Sequence, residues 1–130
     1  YSHTAVGNGA LDTTTTGYQC NAFGKDSLRS CTTGVNNNAF GVNALANVTT
    51  GSHNVAMGQN AGSNVTTGNG NVCIGNNAGI NRTTSSDLTA VGNSAAFQNT
   101  TGGQCTAVGG AALYQNVTGI NNVQPQVHII

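Results

Sequence analysis

Gly7, Gly24, Gly41, Gly58, Gly75, Gly92 and Gly109 stand at one unvarying interval, every seventeenth position along the chain. A period kept through seven units with no insertion or deletion predicts that every unit is the same turn of chain stacked on its neighbour. Aligned on the glycine, the preceding residue is always large and apolar: Val6, Phe23, Phe40, Met57, Ile74, Val91 or Val108. The residue before that is always small: Ala5, Ala22, Ala39, Ala56, Cys73, Ala90 or Ala107. Three positions after the glycine another small column follows (Ala10, Ser27, Ala44, Ala61, Ala78, Ala95, Ala112), and further on Thr-Thr-Gly recurs, as at Thr49 to Gly51 and Thr66 to Gly68.

Adjacent large and small apolar columns do not make one helical stripe, but a period of two sends them to opposite faces of a strand. A 17-residue unit has no room for a helix of about 12 residues plus a strand and turns. The sequence therefore predicts an all-β parallel solenoid of seven coils, residues 1–120, followed by a C-terminal cap or the start of another segment over 121–130. Two strands of about five residues per coil, joined at the Val-Gly step and at Thr-Thr-Gly, fill the unit, and coils about 4.8 Å apart give a stack of roughly 34 Å. If the Ala columns line a thin interior, the Val/Phe/Met/Ile column faces outward and needs a partner chain. The opposite assignment gives a fatter core and a monomer.

The ends bear on association as well. Ser2 enters the first coil in phase, so that coil presents unpaired backbone groups. Asn121-Asn122-Val123 begins an eighth coil, in which Pro125 and Gln126 replace the large apolar residue and the glycine, and the tail Gln126 to Ile130 is expected to cover the last rung or lead into another segment. Tyr1 in place of a start methionine marks a processed chain or part of a longer one.

Only 5% of the residues are charged, whereas Asn, Thr and Gly together make up 57 of 130. With three cations against three acids there is no basic patch for nucleic acid or an anionic membrane, and no apolar run approaches the roughly 20 residues of a spanning helix. Composition alone would also fit a disordered segment, but disorder keeps no fixed period.

The segments Asn54-Val55-Ala56-Met57-Gly58-Gln59-Asn60-Ala61 and Asn71-Val72-Cys73-Ile74-Gly75-Asn76-Asn77-Ala78 resemble the head repeat of the trimeric autotransporter adhesins, Asn-Ser-Val-Ala-Ile-Gly-x-x-Ser or Ala. The Ala-Val-Gly, Ala-Leu, Thr-Thr-Gly variant within Thr4 to Gly17 and Thr106 to Gly119 is similar to repeats in fibre proteins of phages and large viruses. The resemblance implies a left-handed β-roll, three chains bundled about one axis, and display on a cell or virion surface for attachment to a receptor or glycan. The unit here is longer than the adhesin head repeat, and no coiled-coil stalk follows it within the sequence.

Catalysis finds little material, since Glu is absent, the three Asp lie in separate repeats and no His has triad spacing. No cofactor motif is present. His3 and Cys20 share a column about 5 Å apart, yet Asn37 comes next and a metal needs more ligands than that pair. Cys20 and Cys31 are joined by a path that runs out, round a turn and back, and are a candidate disulfide; Cys73 sits in an Ala column, and Cys105 is five coils from Cys20.

Asn47, Asn64, Asn81, Asn99 and Asn116 each head an N-x-Thr sequon and are candidate glycosylation sites, although this composition yields about four sequons by chance. An amide ladder of Asn47, Asn64 and Asn81 is the plainer reading. Thr16, Thr33, Thr50, Thr67, Thr84, Thr101 and Thr118 form an unbroken rank that resembles ice-binding solenoids. Those usually carry Thr-x-Thr, whereas here the threonines are adjacent and adjacent strand residues point opposite ways. Three functions follow as expectations: a structural or adhesive fibre segment, homotrimeric or otherwise assembled outside the cell or on a virion; an ice-binding solenoid; and a self-stacking extracellular filament subunit joined through its uncapped first coil.

Overall fold

The computed structural model describes residues 2–125 and is a parallel β-solenoid. Eight strands form one sheet in sequence order: β1 Thr4–Val6, β2 Asn21–Phe23, β3 Asn38–Phe40, β4 Val55–Met57, β5 Val72–Ile74, β6 Thr89–Val91, β7 Thr106–Val108 and β8 Val123–Pro125. Every pairing is parallel with a register of one repeat, so Ala22 lies over Ala39 and Phe23 over Phe40. The eighth strand is the start of the further coil expected at Asn121 to Val123, and Val108 pairs with Pro125. The tail Gln126 to Ile130 lies outside the described residues.

Each coil holds one short strand rather than the expected pair of longer ones. Left-handed backbone takes the place of the second strand. Besides the repeat glycine, three further columns have positive φ: the one containing Asp26, Asn43 and Asn60, the one containing Leu28 and Leu45, and the one containing Asn36 and His53. Short polar side chains tolerate that conformation, whereas for Leu it is costly. Leu28 and Leu45 are wholly buried, and that burial offsets the strain.

The repeat glycine has two reasons to be glycine. Its φ lies between 118° and 140° in all seven units. A Cβ added to any of the first six would also lie 2.5 to 2.7 Å from the carbonyl of the next coil's glycine. Coil-to-coil bonds then run in both directions: Gly24 N donates to Val6 O at 2.7 Å, while Leu28 N donates to Ala44 O at 3.0 Å. Thr-Thr-Gly is equally specific. The amides of Thr32, Thr33 and Gly34 all donate to Thr49 O, at 3.0, 3.1 and 3.2 Å, which requires three successive N–H groups to converge on one carbonyl of the neighbouring coil.

The interior is thin, as small columns on both walls require. Ala22, Ala39, Ala56, Cys73, Ala90 and Ala107 from the strands face Ala44, Ala61, Ala78 and Ala95 from the turns, all fully buried. Larger side chains occur where a neighbour shrinks. Gly62 leaves room for Leu45, whose Cδ2 would lie 2.9 Å from an added Cβ, and Gly79 does the same for Leu88 at 3.0 Å.

Replacing Gly58 with Ala sets a side chain against Gly75 O at a φ of 129°. The expected cost is about 3 kcal/mol or more, read as a lowered melting midpoint in thermal unfolding followed by circular dichroism.

Candidate functional site

With alanine inside, alternation along each strand turns its flanking residues outward. Val6, Phe23, Phe40, Met57 and Val108 are 36 to 55% exposed, and Ile74 and Val91 are half-buried. Stacking at one-repeat register lines them up along the outer face of the sheet. Phe23 and Phe40 stack with ring centroids 5.0 Å apart and planes 6° from parallel. Val55 and Val72 sit two residues earlier on the same face, so the middle of the file is widened by a second apolar column.

The two threonine columns divide their work. Thr15, Thr32, Thr49 and Thr66 donate their hydroxyls to the backbone carbonyl of the next coil's equivalent residue, at 3.0 to 3.3 Å. Their neighbours Thr16, Thr33, Thr50, Thr67, Thr84, Thr101 and Thr118 are all exposed. One file of outward hydroxyls results.

The five sequon asparagines fall into two columns. Asn47 donates to Asn64 at 3.1 Å and Asn64 to Asn81 at 3.4 Å, the expected amide ladder on an edge. Asn99 and Asn116 come one position later in their repeats, in the interior column of Cys31, Val48, Val65 and Arg82. Asn99 is wholly buried, with neither amide atom hydrogen-bonded, and Asn116 donates to Cys105 Sγ at 3.6 Å and Gly119 O at 3.2 Å. A shift of one residue exchanges edge for core.

Across the coil from that column runs another, His3, Cys20, Asn37, Asn54, Asn71, Leu88 and Cys105. Its side chains act mainly as acceptors for the next coil's backbone. His3 Nδ1 accepts from Cys20 N at 3.4 Å, Asn37 Oδ1 from Asn54 N at 3.0 Å, Asn54 Oδ1 from Asn71 N at 2.9 Å, and Asn71 Oδ1 from Leu88 N at 3.0 Å. Asn54 Nδ2 in turn donates to Gly68 O at 2.9 Å, so both ends of this buried amide are satisfied. The sequence presents His3 and Cys20 as a ligand pair and leaves the Asn37-Asn54-Asn71 ladder behind them unread. Its signal is the recurrence of Asn four positions before the glycine. Among the described residues no group of three or more His, Cys, Asp or Glu converges where a metal could be held.

Arg82 reads in the sequence only as a charge, yet its side chain is fully buried. Nε donates to Asn71 Oδ1 at 3.1 Å and Ser85 O at 3.3 Å, Nη2 to Ser86 O at 2.6 Å, and Nη1 to Gly102 O. Burial pulls its pKa down, but carbonyl dipoles surround the guanidinium and it stays charged. Cys20 and Cys31 do face one another across the second coil as thiols. Both sulfurs reach Gly34 O, at 3.5 and 3.6 Å. Cys73 is buried alone, its thiol pushed up to about 12 by desolvation.

No family model, curated protein or solved structure matches the chain. What the geometry offers is a set of ordered surfaces: an apolar file, a threonine file and amide ladders.

Asn54→Leu keeps the shape that Leu88 shows the column accepts, but strands Asn71 N and Gly68 O in the interior. We expect a loss of about 2–4 kcal/mol in urea unfolding, clearly more than for Asn64→Leu on the half-buried edge ladder.

Proposed function

We propose that the chain is a rigid shaft segment of an extracellular or virion-surface fibre, assembled side by side with copies of itself through the outer face of its sheet. The observation that carries this reading is the file of Val6, Phe23, Phe40, Met57, Ile74, Val91 and Val108, kept large and apolar while the interior is built from alanine. A chain with apolar side chains to spare for its core places them outside, in a strip about 34 Å long at the parallel-strand spacing. Such a strip is stable in water when covered. The resemblance to trimeric adhesin heads and phage fibres points the same way, toward a homotrimer that presents polar ladders to a receptor or glycan.

Rigidity is what the repeat supplies. Every coil is tied to the next by backbone bonds in both directions and by side-chain ladders, so bending would break many bonds together. Stiffness of this kind serves a spacer or display element and needs no catalytic group.

A second reading rests on the exposed rank Thr16 to Thr118, whose hydroxyls repeat at the strand spacing on a nearly uncharged surface. It is ice binding, with the inner threonine rank engaged by the backbone and the outer rank exposed, Thr101 alone of its members donating its hydroxyl to a backbone carbonyl, Val117 O at 3.4 Å.

Sedimentation decides the first reading. The chain is expected to run as a trimer or larger assembly, and Phe23→Ser with Phe40→Ser and Met57→Ser is expected to give folded monomers. A stable 13.0 kDa monomer for the unmutated chain overturns it. Thermal hysteresis measured on the unmutated chain and on Thr50→Tyr/Thr67→Tyr decides the second, for which activity must be present and then vanish.

A further inference from the structure

The five N-x-Thr sequons differ in what the fold leaves of their two chemical groups, the asparagine amide nitrogen and the threonine hydroxyl. Asn47 and Asn64 each give an amide hydrogen to the next rung of the ladder, at 3.1 and 3.4 Å, and Thr49 and Thr66 donate their hydroxyls to backbone carbonyls. Asn99 is sealed in the interior, and Asn116 Nδ2 donates to Gly119 O and Cys105 Sγ. Asn81 stands apart. Its Oδ1 closes the edge ladder by accepting from Asn64, but the next rung is Gln98, and among the described residues Asn81 Nδ2 has no hydrogen-bond partner. Unlike the amide of Asn99, that nitrogen is open to water, on a half-buried side chain.

Thr83, the third residue of the same sequon, is exposed and its hydroxyl is also unengaged among the described residues. The carbonyl its column would use, Thr100 O, accepts instead from Ser85 Oγ at 3.4 Å. The backbone that follows is loose as well. Thr32, Thr33 and Gly34 converge on Thr49 O, whereas Ser85 replaces the glycine here, and the amides of Thr83, Thr84, Ser85 and Ser86 make no bond to the next coil among the described residues. An enzyme that modifies a folded chain needs a segment whose local opening costs little. Asn81 and Thr83 lie at the start of such a segment, on either side of the buried Arg82, with both reacting groups at the surface.

We propose that Asn81 is a site of N-linked glycosylation, the acceptor that the folded chain offers to a transferase using a nucleoside-diphosphate sugar. Asn81 Nδ2 forms a bond to the anomeric carbon, the bond from that carbon to the diphosphate oxygen breaks with its electron pair going to the nucleoside diphosphate, and the amide gives up one proton. The product keeps Oδ1, and with it the bond from Asn64. The site lies outside the strands, so a sugar there leaves the file from Val6 to Val108 free for assembly. As decoration of a displayed chain it rests on the fibre reading, but the two fail separately, since assembly is read by sedimentation and the sugar by peptide mapping.

The test incubates the folded, unmodified chain with a soluble N-glycosyltransferase specific for N-x-Thr and uridine diphosphate glucose, beside a chymotryptic digest of the same chain, which leaves all five sequons intact. Expected are one hexose per folded chain, located at Asn81 by electron-transfer fragmentation, and hexose at several sequons in the digest. Asn81→Gln is expected to abolish the modification of the folded chain, and Ser85→Gly, which restores the glycine of its column and leaves the sequon unchanged, to slow it several-fold. Hexose at Asn47 or Asn64 to the same extent as at Asn81, hexose at Asn99 or Asn116, or a folded chain left unmodified while its digest is modified at Asn81 overturns the proposal. Mapping on the unmutated chain requires neither variant to fold.

Discussion

The structure depends on backbone meeting backbone at the repeat glycines. At Gly7 through Gly92 each coil approaches the next so closely that a Cβ would fall 2.5 to 2.7 Å from a carbonyl group, at a φ that side chains avoid. Any change of period would carry a side chain into that contact and move the bonding groups on both walls out of register. One column thus holds the interval constant and, through it, the vertical alignment of every other column. A second glycine column, Gly17, Gly34, Gly51 and Gly68, repeats the constraint opposite, where an added Cβ would collide with the carbonyl of the residue stacked beneath.

Alignment makes small differences add. A single amide hydrogen bond between Asn47 and Asn64 contributes little on a half-buried edge, but the same bond recurs at Asn64 to Asn81 and in the parallel ladder Asn43, Asn60 and Asn77. Inside, the Asn37-Asn54-Asn71 ladder meets backbone donors for which the strand has no partner. It ends at Leu88, whose amide donates to Asn71 Oδ1, and the same oxygen accepts from Arg82 Nε across the coil. The solenoid is regular in its backbone and irregular in what fills it.

That irregularity is where anything other than stiffness resides. A cysteine pair occurs in one coil, a buried guanidinium in another, and an unpaired buried amide at Asn99 beside it. The outer file, by contrast, keeps one large apolar residue per coil from Val6 to Val108.

The sequence alone determined the period and the parallel stacking, because each follows from one residue type recurring at one spacing, whereas it left two assignments for the alanine columns and the fold turned them inward. It also placed the Asn47-Asn64-Asn81 ladder and brought Cys20 opposite Cys31. It misjudged the second wall as a strand, since left-handed positions there are held by Leu, Asn, Asp and His as well as Gly, and no single residue type marks them. Sequons in nearly the same place looked equivalent, and only the fold showed that one residue of offset moves Asn99 and Asn116 from the edge into the core. The burial of Arg82 was likewise a tertiary decision. Whether a side chain faces inward depends on the path of the coil, and whether it fits depends on the rungs above and below, neither of which a single column records.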